Sequence, residues 1–269
     1  MSSNELIKGG VSGMKQFTLT RREAAMLLLS IQGKSHKTPL DVLREAWLRT
    51  HSHDLNRDES LAAFLGTSIP AICEKIIKKR IQGLSLSEIV KIGNQIEYSN
   101  LSITSVQNWV KRDFKDFLGA PKEGKKYSIE QAGMILIIED LKTALDFESI
   151  RKLFQIIFRN PEDDGDDLIA PVKLYYAYSA LFEEMDENDD QLLDVSGYDK
   201  SLRNQDAVIE QMIRVKTDAY VNQFPGLTSE QKEAVRNMLI VALISVQTSY
   251  FHSLARRYMN ATLFLQNLN

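Results

Sequence analysis

Residues 85–113, SLSEIVKIGNQIEYSNLSITSVQNWVKRD, carry the clearest structural pattern in this sequence. Apolar residues recur at three- and four-residue spacing on both sides of the polar segment 98–102, which indicates two amphipathic helices. Ser85 and Glu88 form a candidate capping box, and Ser102 is a candidate N-cap for the second helix. We therefore predict helices over 86–97 and 103–113, joined by a short turn, which is the spacing of a helix-turn-helix.

The second predicted helix has an apolar inner stripe and a polar outward face. Trp109 lies on the inner stripe with Ile103, so we expect it in the core rather than against a base. The residues predicted to share the outward face are Thr104, Gln107, Asn108, Lys111 and Lys115. Amide side chains suit adenine edges and lysine suits guanine or phosphate, which is the inventory of a recognition helix. An ordinary solvated helix face would carry the same residues.

The segment that follows is basic and contains turn-forming residues. It holds Gly119, Pro121 and Gly124 among several lysines, and it ends at Tyr127 and Ser128. A basic hairpin after a helix-turn-helix can contact the phosphate backbone. We predict such a wing over 115–127.

The rest of the chain predicts an all-α, multi-helix protein. Thirteen glycines and six prolines among 269 residues are few, which favours long helices over a sandwich or barrel. Further capping boxes begin at Thr20, Ser128 and Thr228. The other predicted helices span 21–32, 39–50, 69–80, 129–143, 147–158, 171–185, 203–223 and 229–265.

Charge and composition divide the chain into three predicted segments. The net charge is −3, but residues 75–80 and 100–126 are rich in lysine and arginine, and 160–200 is strongly acidic. We place an N-terminal helical segment at 1–84, a winged helix-turn-helix at 85–160 and a C-terminal helical domain at 161–269. The acidic block could cover the basic surface in the free protein.

Residues 102–153 resemble the MerR-type winged helix-turn-helix. The resemblance rests on Lys125-Lys126-Tyr127-Ser128 at the end of the wing, and on the helix that begins at Asp146-Phe-Glu-Ser-Ile-Arg151. With Ser105-Val-Gln-Asn-Trp-Val-Lys-Arg112, the chain is similar to an uncharacterised bacterial family with a MerR-like domain of unknown function. The resemblance implies duplex DNA binding and transcriptional regulation. The residues it implies as DNA contacts are Thr104, Gln107, Asn108, Lys111 and Arg112 on the helix and Lys122, Lys125, Lys126 and Tyr127 in the wing, with Lys115 added from the helix face.

The sequence departs from typical members of that family in two ways. The recognition helix has Gln107, Asn108 and Trp109 where such proteins have an arginine near the start and a tyrosine-rich centre. An acidic linker also separates the second helix pair from the long helix at 229–265. Target sequence and dimer geometry therefore do not carry over. The alternative is a protein–protein interaction module on a helix-turn-helix scaffold that no longer binds DNA.

The long helix at 229–265 suggests a homodimer. At 1.5 Å per residue it would be roughly 55 Å long, so it either crosses several helices of its own chain or meets a second copy. We favour the second copy. Its most apolar run, 238–246, is too short for a membrane span. With no apolar leader in residues 1–13, we expect a cytoplasmic protein without a membrane partner.

No motif predicts an enzyme, a cofactor or a metal. One cysteine, Cys73, excludes a disulfide framework and a cysteine-based zinc cluster. The calcium-like spacing that starts at Asp186 has Gln191 and Gly197 at positions that need glycine and glutamate. His51 and His53 lack a third ligand. Tyr175, Tyr176 and Tyr178 could line a ligand pocket, but a packed amphipathic helix is the simpler interpretation.

Overall fold

The computed structural model describes residues 17–51, 64, 69–161, 163, 165–187 and 205–266. These residues are mostly helical, which confirms the all-α prediction. Residues 1–13, His53 and most of the calcium-like segment, 188–197, lie outside the described residues.

Eleven α-helices and two short strands occur among the described residues. They are α1 (Arg21–Ile31), α2 (Pro39–His51), α3 (Ala71–Lys78), β1 (Gly83–Leu84), α4 (Leu86–Gly93), α5 (Ile103–Asn108), α6 (Lys115–Leu118), β2 (Tyr127–Ser128), α7 (Ile129–Leu141), α8 (Phe147–Ile157), α9 (Pro171–Glu187), α10 (Gln205–Val221) and α11 (Ser229–Gln266). A π-helical turn, Trp109–Asp113, continues α5.

Side-chain caps fix where five of these helices begin. Thr20 with Glu23, Ser85 with Glu88 and Ser128 with Gln131 form complete capping boxes, as predicted. In each box the hydroxyl accepts a free backbone N–H, and the residue three positions later returns a bond to the cap. Ser102 and Asp146 cap α5 and α8 in the same manner, each accepting from one backbone N–H.

Two helices differ from the prediction. The helix predicted over 86–97 ends at Gly93, and Ile96 instead bridges Leu19 in a parallel pair. Gly93 followed by Asn94 is a helix-stop signal. The prediction ran past it because Ile96 continues the apolar spacing of the helix. The helix predicted over 103–113 is α-helical only to Asn108.

Helix α7 is the centre of the core. Twelve of its thirteen residues are buried, and it contacts α1, α9 and α11. Gly133 allows the closest approach, because a Cβ there would lie 2.9 Å from Val172 Cγ2 of α9. One hydrophobic core joins buried residues of the described ranges, from Phe17 to Val246, and so draws on all three predicted segments. The division at 84 and 160 stays a prediction.

Helix α11 has a buried half and an exposed half. Val235, Leu239 and Val246 are fully buried and the helix contacts α7, α8, α9 and α10. From 251 to 264 the side chains are largely exposed. Within 229–264 a window with mean hydropathy 1.4 is long and apolar enough to cross a membrane, by length and composition alone. The core helix of a water-soluble protein can have the same length and hydropathy.

Candidate nucleic-acid interface

The polar face predicted on the second helix is exposed. Thr104, Gln107 and Asn108 of α5, Lys111 and Arg112 of the π turn, and Lys115 of α6 all have exposed side chains. Val106, Trp109 and Val110 are buried behind them, so the predicted division into two faces is confirmed at these positions. Ile103, expected on the inner stripe, is 39% exposed because it lies in the first turn of α5.

The π turn allows the rings of Trp109 and Phe114 to pack against the same residue, Phe147. The Phe114 N–H donates to the Trp109 carbonyl, five residues back, at 2.8 Å. Trp109 and Phe114 therefore both reach Phe147 of α8, with ring centroids 6.3 and 5.2 Å away. Trp109 is 2% exposed, which confirms it as a core residue. The wider turn keeps Lys111 and Arg112 on the outer surface.

The cations of this helical surface differ in whether they are paired. Arg112 Nε lies 2.7 Å from Asp113 Oδ1, and this hydrogen bond and ion pair raise the pKa of the guanidinium. Lys111 and Lys115 have no ion pair with any residue that the structure describes. These two lysines are thus available to an external anion.

Residues 119–127 form a short turn segment that follows α5, the π turn and α6. Residues 115–118, which the sequence analysis placed in the wing, instead form the helical turn α6. Strands β1 and β2 pair antiparallel, with Gly83 opposite Ser128 and Leu84 opposite Tyr127. Glu123 and Lys126 exchange two backbone hydrogen bonds of 2.9 and 3.0 Å. Gly83 is required here, because a Cβ would lie 2.7 Å from Glu123 Cβ.

A buried glutamine anchors this segment to the core. Gln131 Nε2 donates to the carbonyls of Leu118 and Ala120 at 2.5 and 2.8 Å. Gln131 Oε1 accepts from the backbone N–H of Lys122 and Ser128 at 3.3 and 2.7 Å. Four backbone groups on both sides of the turn are therefore fixed by one side chain. The sequence suggested Gln131 only as a capping residue.

The predicted wing residues lie at or next to this turn. Lys122 and Lys125 are exposed, whereas Lys126 and Tyr127 are half-buried. Lys122 Nζ donates to the Pro161 carbonyl at 3.2 Å, at the start of the acidic region. Lys125 has no ion pair with a described residue. No hydrogen bond or ion pair in the described ranges joins these residues to Thr104, Gln107 or the other helix residues.

Glu123 lies within this turn, and Glu88 of α4 is a second carboxylate beside it. Glu88 accepts a hydrogen bond from Lys75 Nζ, and its Oε2 lies 4.0 Å from Lys126 Nζ. Burial alone would raise the pKa of Glu88, but the bonds from Lys75 and Ser85 outweigh it and lower the pKa to about 2. Glu88 therefore stays ionised and partly neutralises Lys75 and Lys126.

Two cations beside this turn were missed as site residues in the sequence. Lys79 and Arg80, just after α3, line a cleft of about 460 Å³ together with Gly124 and Lys126. Both are exposed and have no ion pair with a described residue. The basic run 75–80 was visible, but more than 40 residues separate it from Lys126, and only the β1–β2 pairing brings them together.

Tyr175 and Tyr178 of α9 do not line an open pocket, and Tyr176 between them is half-buried against the core. Tyr175 and Tyr178 are 1% and 0% exposed and pack edge to face with centroids 5.4 Å apart. Tyr178 Oη donates to Asp140 Oδ2 at 2.7 Å. This filled core agrees with the packed-helix interpretation. Among the described residues, no group of His, Cys, Asp and Glu could hold a metal ion.

Comparison with known proteins places the chain in a family. A family model for a domain of unknown function, DUF1836, matches residues 68–179. The Uncharacterized protein YkrK of Bacillus subtilis (strain 168) is 32% identical over 244 residues, which are 91% of this chain and 97% of that protein. The chain belongs to the YkrK family. The DUF1836 match contains the whole 85–160 segment and adds α3 before it and part of α9 after it. No solved structure matches the chain significantly.

Proposed function

We propose that this YkrK-family protein is a DNA-binding transcriptional regulator. The observation that carries the proposal is the exposed surface of α5 and its π turn, where Gln107 and Asn108 adjoin the unpaired Lys111. Amides can read adenine edges and a lysine can bind guanine or phosphate, while Trp109 and Val106 hold the helix against the core. The helix enters the major groove in this proposal, as the resemblance to MerR-type domains implies.

The 119–127 segment acts as the wing in the same proposal. Lys122 and Lys125 are exposed near its tip, and Lys126, Lys79 and Arg80 line the adjoining cleft. Contacts from these cations to phosphates would position the helix but carry little sequence information. Tyr127 is half-buried, and in this proposal it supports the segment through its backbone pairing with Leu84 rather than by contacting DNA.

The protein acts as a homodimer in this proposal. The exposed end of α11 carries Tyr258, Met259, Leu263 and Phe264, each at least 49% exposed. Several large apolar side chains on one helical segment are typical of an interaction surface. A second copy packed there would present two reading helices to a pseudo-palindromic site.

Charge reversal tests the proposal directly. Lys111→Glu and Lys125→Glu each replace an unpaired exposed cation, and Lys232→Glu on α11 is the control for a change in net charge. We expect each of the first two variants to weaken duplex binding by about tenfold or more at low salt, measured by fluorescence anisotropy. Unchanged affinity in both variants, or equal weakening by Lys232→Glu, would contradict the proposal.

A protein–protein interaction module is the second candidate. It is favoured by the carboxylates among the basic residues: Asp113 pairs with Arg112, and Glu88 lies between Lys75 and Lys126. This candidate predicts no duplex binding by the full chain at any salt concentration, so the same titration separates the two.

A further inference from the structure

A polar cleft lies on the structure away from the turn segment and its cations. Its volume is about 470 Å³, and it is bounded by the 98–100 turn, the end of α7 and the exposed part of α11. That size is within the range of small-molecule sites. Tyr98 in its wall has a left-handed backbone, with φ of 62°, and its ring packs against Tyr250 with centroids 5.2 Å apart.

Some charged groups of the cleft are ion-paired within the protein, and one cation is not. Its two carboxylates are ion-paired: Glu139 Oε2 lies 2.8 Å from Lys142 Nζ but has no hydrogen bond among the described residues, and Asp140 accepts from Arg21 and Tyr178. Arg256, by contrast, is exposed at the mouth and has no ion pair with a residue that the structure describes. The net charge of the cleft is therefore positive, and the unpaired positive charge is that of Arg256 on α11.

Further polar groups in the cleft could bind a ligand. His252 stands one helical turn before Arg256 and also lines the cleft. Ser99 Oγ lies behind the wall and is fully buried, so a molecule in the cleft does not contact it directly. An anion there would meet a guanidinium and an imidazole.

We propose that this cleft binds a small organic anion with carboxylate or phosphate groups, held by Arg256 and His252. The site itself does not depend on DNA binding. Its consequence does rest on the proposed function: the cleft joins the turn between α4 and α5 to the exposed part of α11. Asn100 N–H also donates to Glu139 Oε1 at 3.4 Å, which links that turn to α7. A bound anion would therefore fix the DNA-reading helix relative to the dimer helix.

Binding is tested without DNA, on the full chain, with citrate and inorganic phosphate as probes. Chloride at equal ionic strength is the reference, and the readouts are the thermal unfolding midpoint and calorimetric titration. We expect at least one probe to raise the midpoint above the chloride reference, because a ligand that binds only the folded state stabilises it. Arg256→Gln should weaken that probe's binding by about tenfold, since it removes a charge-assisted hydrogen bond. His252→Gln should weaken it less.

The control is Lys232→Gln, which removes a cation from the same helix outside the cleft. It should bind the probe as the unaltered chain does. The proposal is overturned if neither probe stabilises the protein beyond chloride, or if Arg256→Gln and Lys232→Gln behave alike. Because no DNA is present, this failure is distinguishable from failure of the proposed function. If the probe binds but leaves duplex affinity unchanged, the site stands and the coupling is wrong.

Discussion

At the scale of single residues, the guanidinium of Arg21 is a buried charge that needs a partner. Arg21 Nε lies 2.9 Å from Asp140 Oδ1, with side-chain exposures of 7% and 5%. Its Nη1 donates to the Glu97 carbonyl at 3.1 Å, and Tyr178 completes the carboxylate's hydrogen bonding. Burial and the nearby carboxylate also raise the pKa of Tyr178 well above its usual value. The network ties α1, α7 and α9 together.

Neighbouring arginines allow a matched test of this network. Arg21→Met should lower the free energy of unfolding by about 3–5 kcal/mol, because it leaves Asp140 buried without its cation. Arg22→Met breaks a half-exposed pair with Glu183, at 3.3 Å, and a hydrogen bond with Tyr176, and should cost about 1 kcal/mol or less. Urea unfolding measures both variants. Equal losses would show that the buried pair has no special role.

At the scale of elements, local signals in the sequence predicted most helix starts, whereas wider geometry decided the rest. The hydroxyl at each cap and the residue three positions later are enough to place the starts of α1, α4 and α7. The π turn depends on Trp109 and Phe114 meeting Phe147, more than 30 residues later. No pattern within 103–113 encodes that contact. The exposed face of α5 was predictable because its side chains do not depend on such contacts.

The cap of α4 gives a prediction about pH. The pKa of Glu88 is about 2 in the folded protein, against an ordinary value of 4.5, so its ionised form stabilises the fold. This contribution is complete above pH 4.5 and is lost as the pH falls through 2. Glu88→Gln should therefore be less stable than the unaltered protein by about 1 kcal/mol at pH 6. The difference should shrink towards zero near pH 2.

Unfolding by urea at a series of pH values from 6 to 2 checks this prediction. A difference between Glu88→Gln and the unaltered protein that stays constant over that range would contradict it. Such a result would mean that Glu88 acts through its shape at the cap and not through its charge.

At the scale of the whole molecule, the core joins parts of the chain that looked separate in the sequence. Composition suggested three segments, but α1 packs on α9 and the buried half of α11 packs on α7. Such long-range pairs leave no periodic signal. The same holds for Lys79 and Arg80, which reach the 119–127 segment only through β1 and β2. Sequence reasoning therefore predicted the elements better than their partners.

The exposed end of α11 supplies a test of the proposed dimer. Tyr258→Glu with Leu263→Glu places charges where the side chains are 70% and 49% exposed, so the fold should be retained. We expect this variant to be monomeric by light scattering coupled to size-exclusion chromatography, with little change in its unfolding midpoint. Ile156→Glu, at a 52% exposed position on α8, is the control and should remain dimeric. A monomeric unaltered protein would contradict the dimer.

The most direct test of DNA binding is a titration of the unaltered full chain against random duplex DNA at several salt concentrations. Five phosphate contacts per protomer would give a slope of log affinity against log salt of about −4 to −5, and about twice that in a dimer. The account predicts binding at low salt that weakens steeply in this way. Absence of binding at low salt, or affinity independent of salt, would contradict it.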